Sequence, residues 1–97
     1  GADFSFSEME GADFTKASLM QANFYGADMK FSRFRKADLR EATLVRMNLF
    51  QGVLEKADLT DADLSGSNMY GAEFMNAVMV RTIIHETNLK MTKLYQE

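Results

Sequence analysis

The sequence contains no cysteine, no proline and no tryptophan, and only one histidine, His85. Without cysteine there are no disulfides, no thiol catalysis and no thiolate metal sites. A single histidine argues against a conventional metal centre and against histidine-based catalysis. Proline is missing from a chain that must turn often, so its corners are built from other residues. No apolar run approaches the roughly 18 residues needed to span a bilayer, and the amino end does not read as a signal peptide. A cytoplasmic location is therefore expected, with Gly1 read as a processing boundary. Basic charge is also short: net charge is −3, which argues against direct nucleic-acid binding. There is no phosphate loop or dinucleotide fingerprint, and no cofactor is expected. What remains is 97 residues, 46% hydrophobic and 26% charged, the balance of one small soluble domain.

A five-residue period runs through the whole chain. Every fifth residue from Phe4 to Leu94 is Phe, Met, Leu or Ile, nineteen in all. Two places earlier sits Ala, Ser or Thr in seventeen of the nineteen; Met47 and Gly52 are the exceptions, and a local distortion is expected there. The place between is Asp or Asn in ten units. Residues five apart drift around a helix and form no stripe. In one long strand, successive anchors would point to opposite faces. A short extended segment followed by a corner reconciles the pattern, because the small and large residues two apart then face the same way. Each unit becomes one side of a coil, and stacking coils builds the core. The first eight anchors read Phe-Met-Phe-Leu twice, which gives four sides and twenty residues per coil. Gly11, Gly26, Gly66 and Gly71 occupy corners, where positive φ suits glycine. Lys, Gln and Arg stand at other corners, so positive φ is not expected at all of them.

The units Ala37-Asp38-Leu39-Arg40-Glu41, Ala57-Asp58-Leu59-Thr60-Asp61 and Ala62-Asp63-Leu64-Ser65-Gly66 carry the pattern A(D/N)LXX. On these the chain resembles the pentapeptide-repeat family, as a single repeat domain over 1–97. The resemblance implies an all-β, right-handed quadrilateral parallel β-helix of about five coils. It also implies a structural motif rather than a catalytic one. Well-understood members inhibit DNA gyrase or protect it from quinolones by imitating duplex DNA; many others, abundant in cyanobacteria, have no assigned role. Here the rod is short, its charge mixed and its repeat unbroken by a loop. The expectation is a non-enzymatic scaffold or protein-interaction module with an unidentified protein partner. The alternative is a DNA-mimic regulator of gyrase or another nucleic-acid enzyme.

Residues twenty apart stack, so outward columns are legible. Lys16, Lys36 and Lys56 form a corner column near Asp38 and Asp58. A solvated salt-bridge ladder is expected, each pair contributing at most about 1 kcal/mol. The competing reading, with Arg33 and Arg35, is a basic patch for an acidic partner. Asp38, Asp58, Glu41 and Asp61 could collect a cation such as calcium. Aspartates bonding nearby amides at the corners are the favoured reading, and no metal is expected. Phe50 and Tyr70 project from one side, Phe31 and Met91 from an adjoining corner column, and Tyr25 and Val45 from the preceding side. This group is the candidate surface for a partner or for side-by-side self-association. It lacks the strongly cationic rim of a membrane-binding face. His85, beside Glu86 and a corner from Arg81, reads as a surface residue; a regular rod has no cleft in which catalytic groups converge. Phe4, Met9, Phe14 and Leu19 at one end, and Ile84, Leu89 and Leu94 at the other, lie under open backbone edges. Rods are expected to join end to end, or the chain to be a piece of a longer solenoid. Thr82, Thr87 and Thr92 are expected to bond backbone groups locally.

Overall fold

In a computed structural model, residues 1–93 are described. Fourteen parallel bridges join residues twenty apart, from Asp3–Asn23 to Asn68–Asn88, and the spacing never slips. The coil therefore contains twenty residues and four units. Side 1 carries the anchors Phe4, Phe24, Leu44, Leu64 and Ile84. Side 2 carries Met9, Met29, Leu49, Met69 and Leu89. Side 3 carries Phe14, Phe34, Leu54 and Phe74, and side 4 Leu19, Leu39, Leu59 and Met79. Leu94 lies outside the described residues.

Each side pairs with the next coil through one bridged residue. Asn23 N–H donates to Ala2 O at 2.8 Å and Phe4 N–H to Asn23 O at 2.6 Å. A third bond follows at the corner, Phe6 N–H to Tyr25 O at 2.9 Å. Two of the five residues in a unit form the corner, so the extended part is too short for a strand. The sheets are ladders of isolated bridges.

The corners repeat one turn. Ser7 N–H donates back to Phe4 O at 3.1 Å, Ala12 N–H to Met9 O at 3.1 Å, and the same bond recurs as far as Thr92 and Leu89. The third residue of each turn has positive φ, the signature of type II. All eighteen corners from Phe6 to Met91 have it, with φ between 50° and 71°, and fourteen of them are not glycine. This corrects the expectation that corners bearing Lys, Gln or Arg would escape it. Equal sides with an unbroken register need the same turn each time. A left-handed L-residue costs roughly 1–2 kcal/mol, which the cross-coil bonds and the core must offset.

Inside, the small residues let the walls approach and the anchors fill the centre. Leu39, Leu44, Leu49, Leu54, Leu59 and Leu64 are all fully buried. Phe4 stacks on Phe24 at 4.9 Å in side 1, and Phe14 on Phe34 at 5.0 Å in side 3. The two stacks meet edge to face across the core, Phe24 against Phe34 at 5.5 Å. Such pairs add about 0.5–1.5 kcal/mol each beyond area burial.

The Met47–Gly52 step is regular, not distorted. Met47 is buried, and the bridges Asn48–Asn68 and Val53–Glu73 continue through it. A Cβ on Gly52 would lie 2.5 Å from Leu49 Cδ1 and 3.1 Å from Ser32 O. The missing methyl at 52 is the space that Leu49 uses, beside the oversized Met47 in its own unit. The last-coil threonines bond carbonyls, but mostly across coils: Thr82 Oγ1 donates to Leu59 O at 2.7 Å and Thr87 Oγ1 to Leu64 O at 2.8 Å. Only Thr92, on Leu89 O at 2.6 Å, bonds locally.

Candidate interaction surface

Side 2 carries two parallel columns facing outward. The first, at the bridged position, is Glu8, Asp28, Asn48, Asn68 and Asn88. Asn48 Nδ2 donates to Asp28 Oδ1 at 3.3 Å, Asn68 Nδ2 to Asn48 Oδ1 at 3.4 Å, and Asn88 Nδ2 to Asn68 Oδ1 at 3.4 Å. The same Oδ1 atoms accept the amide two residues on, Phe50 N–H at 3.1 Å and Tyr70 N–H at 3.1 Å. Each amide thus fixes both its own corner and the coil beside it. The twenty-residue spacing of these asparagines was visible in the sequence; the ladder itself was not read from it.

The second column is Glu10, Lys30, Phe50, Tyr70 and Lys90. Phe50 and Tyr70 stack at 5.4 Å with planes 9° apart, and Phe31 on the adjoining corner meets Phe50 edge-on at 5.8 Å. These three expected surface residues form one contiguous group. The other two do not join it. Tyr25 packs around the previous corner against Phe6 at 5.6 Å. Met91 shares the corner column of Phe31, separated from it by Gln51 and Gly71, and is 72% exposed. Phe6, 71% exposed, was missed because it fills a corner that the repeat leaves unspecified.

The expected ladder between Lys16, Lys36, Lys56 and Asp38, Asp58 does not form. Among the described residues none of the three lysines makes an ion pair; the pairs run elsewhere, Arg40 to Asp38 at 2.7 Å, Arg81 to Asp61 at 2.7 Å and Arg35 to Glu55 at 2.6 Å. The aspartate at the bridged position turns toward the amide two residues on, and the side chain there takes it. Arg40 does so for Asp38, and Thr60 Oγ1 for Asp58 at 2.6 Å. Arg35, Lys16 and Lys56 around Lys36 hold its ammonium below the usual lysine value. Hydrogen bonds from Arg40, Arg81 and Lys30 hold the carboxyls of Asp38, Asp61 and Asp28 below the usual aspartate value. These aspartates thus bond amides or cations of their own chain. Among the described residues, no three His, Cys, Asp or Glu are grouped to hold a metal ion. His85 Nε2 lies 3.5 Å from Glu86 Oε1 on open surface, while Arg81 is engaged by Asp61.

The signature of pentapeptide repeats matches residues 1–30, 17–55 and 57–94, eight copies in all. The chain belongs to the pentapeptide repeat family. No curated protein matches it significantly. Among solved structures it is similar to a pentapeptide repeat protein of the Arabidopsis thaliana thylakoid lumen, with 31% identity and a TM-score of 0.77 over 97% of this chain and 59% of that one. The chain thus spans about three fifths of that relative's length. A pentapeptide repeat protein of the cyanobacterium Cyanothece 51142 gives 20% identity and a TM-score of 0.64 over 94% of this chain and 86% of that one. A plasmid-mediated fluoroquinolone resistance protein gives 16% identity and a TM-score of 0.62 over 93% and 59%. At these two lower identities the likeness concerns the fold alone. No helix among the described residues is long and apolar enough to cross a membrane.

Proposed function

We propose that this pentapeptide repeat chain is a non-enzymatic interaction module, a right-handed four-sided solenoid that holds side 2 rigid for a protein partner. The observation that carries the reading is the contiguous Phe31–Phe50–Tyr70 group on an outward face, flanked by the asparagine ladder that accepts the Phe50 and Tyr70 amides. Phe31 is exposed and Phe50 and Tyr70 are half-buried; contiguous apolar groups on an outward face mark contact surfaces. The resistance protein of similar fold raises the alternative of a DNA mimic acting on a nucleic-acid enzyme. That alternative needs a continuous acidic stripe, and here acids follow one another in a column at most in pairs. Asp38–Asp58 and Glu41–Asp61 are such pairs, with Arg40 and Arg81 bound to them. The test is capture from native lysate on immobilised wild type, Phe50→Ser and Tyr70→Ser, with circular dichroism confirming that each variant folds. Loss of captured proteins with both variants is expected; an unchanged set would overturn the reading.

A further inference from the structure

We propose that side 2 is self-complementary: two copies of this chain pack side by side and antiparallel across it, about a two-fold axis level with Asn48, Phe50 and Gln51. This deepens the display reading by naming the face's first occupant. Such an axis lies in the interface, perpendicular to the rods. It keeps each column opposite its own copy and exchanges the first coil with the fifth and the second with the fourth.

In the corner column, the two large exposed residues then meet the two residues without side chains. Met91 falls opposite Gly11 of the second copy, where a Cβ would find nothing within 4 Å. Phe31, 43% exposed, falls opposite Gly71 of the second copy, a gap bordered by the stem of Gln51. In the aromatic column, Glu10 meets Lys90 of the second copy, and Phe50 meets its own counterpart on the axis. In the amide column, Asp28 meets Asn68 and Glu8 meets Asn88, so carboxylate acceptors face amide donors.

In antiparallel registers shifted by one coil the amide column still sets acids against asparagines, but the corner and aromatic columns lose their agreement. One coil in one direction sets Lys30 against Lys90. One coil in the other sets Glu10 against Tyr70 and Lys30 against Phe50. A parallel pair brings the Glu8 and Glu10 of both copies together. Like charges directly opposed disfavour each of those arrangements that contains them. Four to five coils at about 4.8 Å make a face of roughly 400–500 Å² per copy, at the low end of specific interfaces. The dimer is accordingly expected to be weak, with a Kd of tens of micromolar.

Sedimentation equilibrium over a concentration series tests this, using wild type, Glu10→Lys, Lys90→Glu and an equimolar mixture of the two variants. Both positions are exposed and remote from the core. Each variant alone sets like charges across both ends of the interface, and dimerisation should weaken about five-fold or more. In a mixed dimer the Glu10→Lys copy brings lysine to both ends and the Lys90→Glu copy brings glutamate to both. Opposite charges then face each other at each end again, and the mixture should recover to within about two-fold of wild type. A wild type that stays monomeric at about 0.5 mM, variants that dimerise like wild type, or a mixture that does not recover would each overturn the two-fold interface. Loss of the dimer with capture still sensitive to Phe50→Ser removes only this inference. An intact dimer with capture insensitive to that change removes the display reading instead.

Discussion

Replacing Gly52 by alanine installs the residue that the repeat prefers at that place, and the structure makes it harmful. The backbone at 52 is not in the left-handed region, so alanine is conformationally allowed. Loss of glycine's freedom in the unfolded chain would stabilise by about 0.4–1 kcal/mol. Against this, the new methyl falls 2.5 Å from Leu49 Cδ1 and 3.1 Å from the carbonyl of Ser32. Leu49 is fully buried among neighbours that are themselves closely packed, and overpacking of that kind costs about 1–3 kcal/mol. The net is a destabilisation of about 1–2 kcal/mol, or roughly 5–15 °C in Tm for a domain of this size. Thermal and urea unfolding by circular dichroism measure it. Leu49→Ala alone should cost about 2–5 kcal/mol. In the Gly52→Ala background its cost should fall by about 1–2 kcal/mol, because the added methyl enters the vacated space. A stabilised Gly52→Ala, as repeat consensus alone would dictate, or strictly additive effects in the double variant, would refute the reasoning.

Two further predictions concern serines and lysines. Ser32 and Ser67 are both buried, but Ser32 Oγ donates to Met9 O at 3.0 Å and accepts from Ala12 N–H at 3.1 Å, whereas Ser67 Oγ has no partner among the described residues. Ser32→Ala should therefore cost about 0.5–1.5 kcal/mol and Ser67→Ala should be neutral or stabilise by about 1 kcal/mol; equal costs in urea titrations would contradict this. Lys36→Met removes the middle charge of the lysine column and should raise Tm at low ionic strength, the gain vanishing in about 0.5 M salt. Because the folded state lowers the Lys36 value, wild-type stability should also rise with pH as that group loses its proton, and the variant should lack this rise. A gain independent of salt would point to packing instead of charge.

The period of five, the four-sided coil and the core columns were legible because burial acts on every unit alike. The run Phe4, Phe14, Phe24, Phe34 even announced the two opposed stacks. Outward geometry was less legible. Arg40 claims Asp38 because it stands two residues on, where the aspartate already bends toward an amide; a reading by columns alone paired that acid with lysine. Positive φ at Lys16 or Glu41 left no mark in composition, since the turn is imposed by its neighbours along the coil. Met47 and Gly52 looked like two faults, and only the position of Leu49 shows that the missing methyl at Gly52 is space the core uses. For the surface, Phe50 and Tyr70 were legible as a pair twenty apart. The separation of Tyr25 from them depends on which corner Phe6 folds over, and no spacing rule conveys that.

Everything rests on the twenty-residue winding, and through-hydrogen-bond scalar couplings in isotope-labelled protein test it directly. The account predicts couplings from Asn48 N–H to the Ala27 carbonyl, at 2.8 Å, and from Met29 N–H to the Asn48 carbonyl, at 2.7 Å, with the same offsets repeated around all four sides. Couplings that instead connect bridged residues fifteen apart, or none between coils, would contradict it.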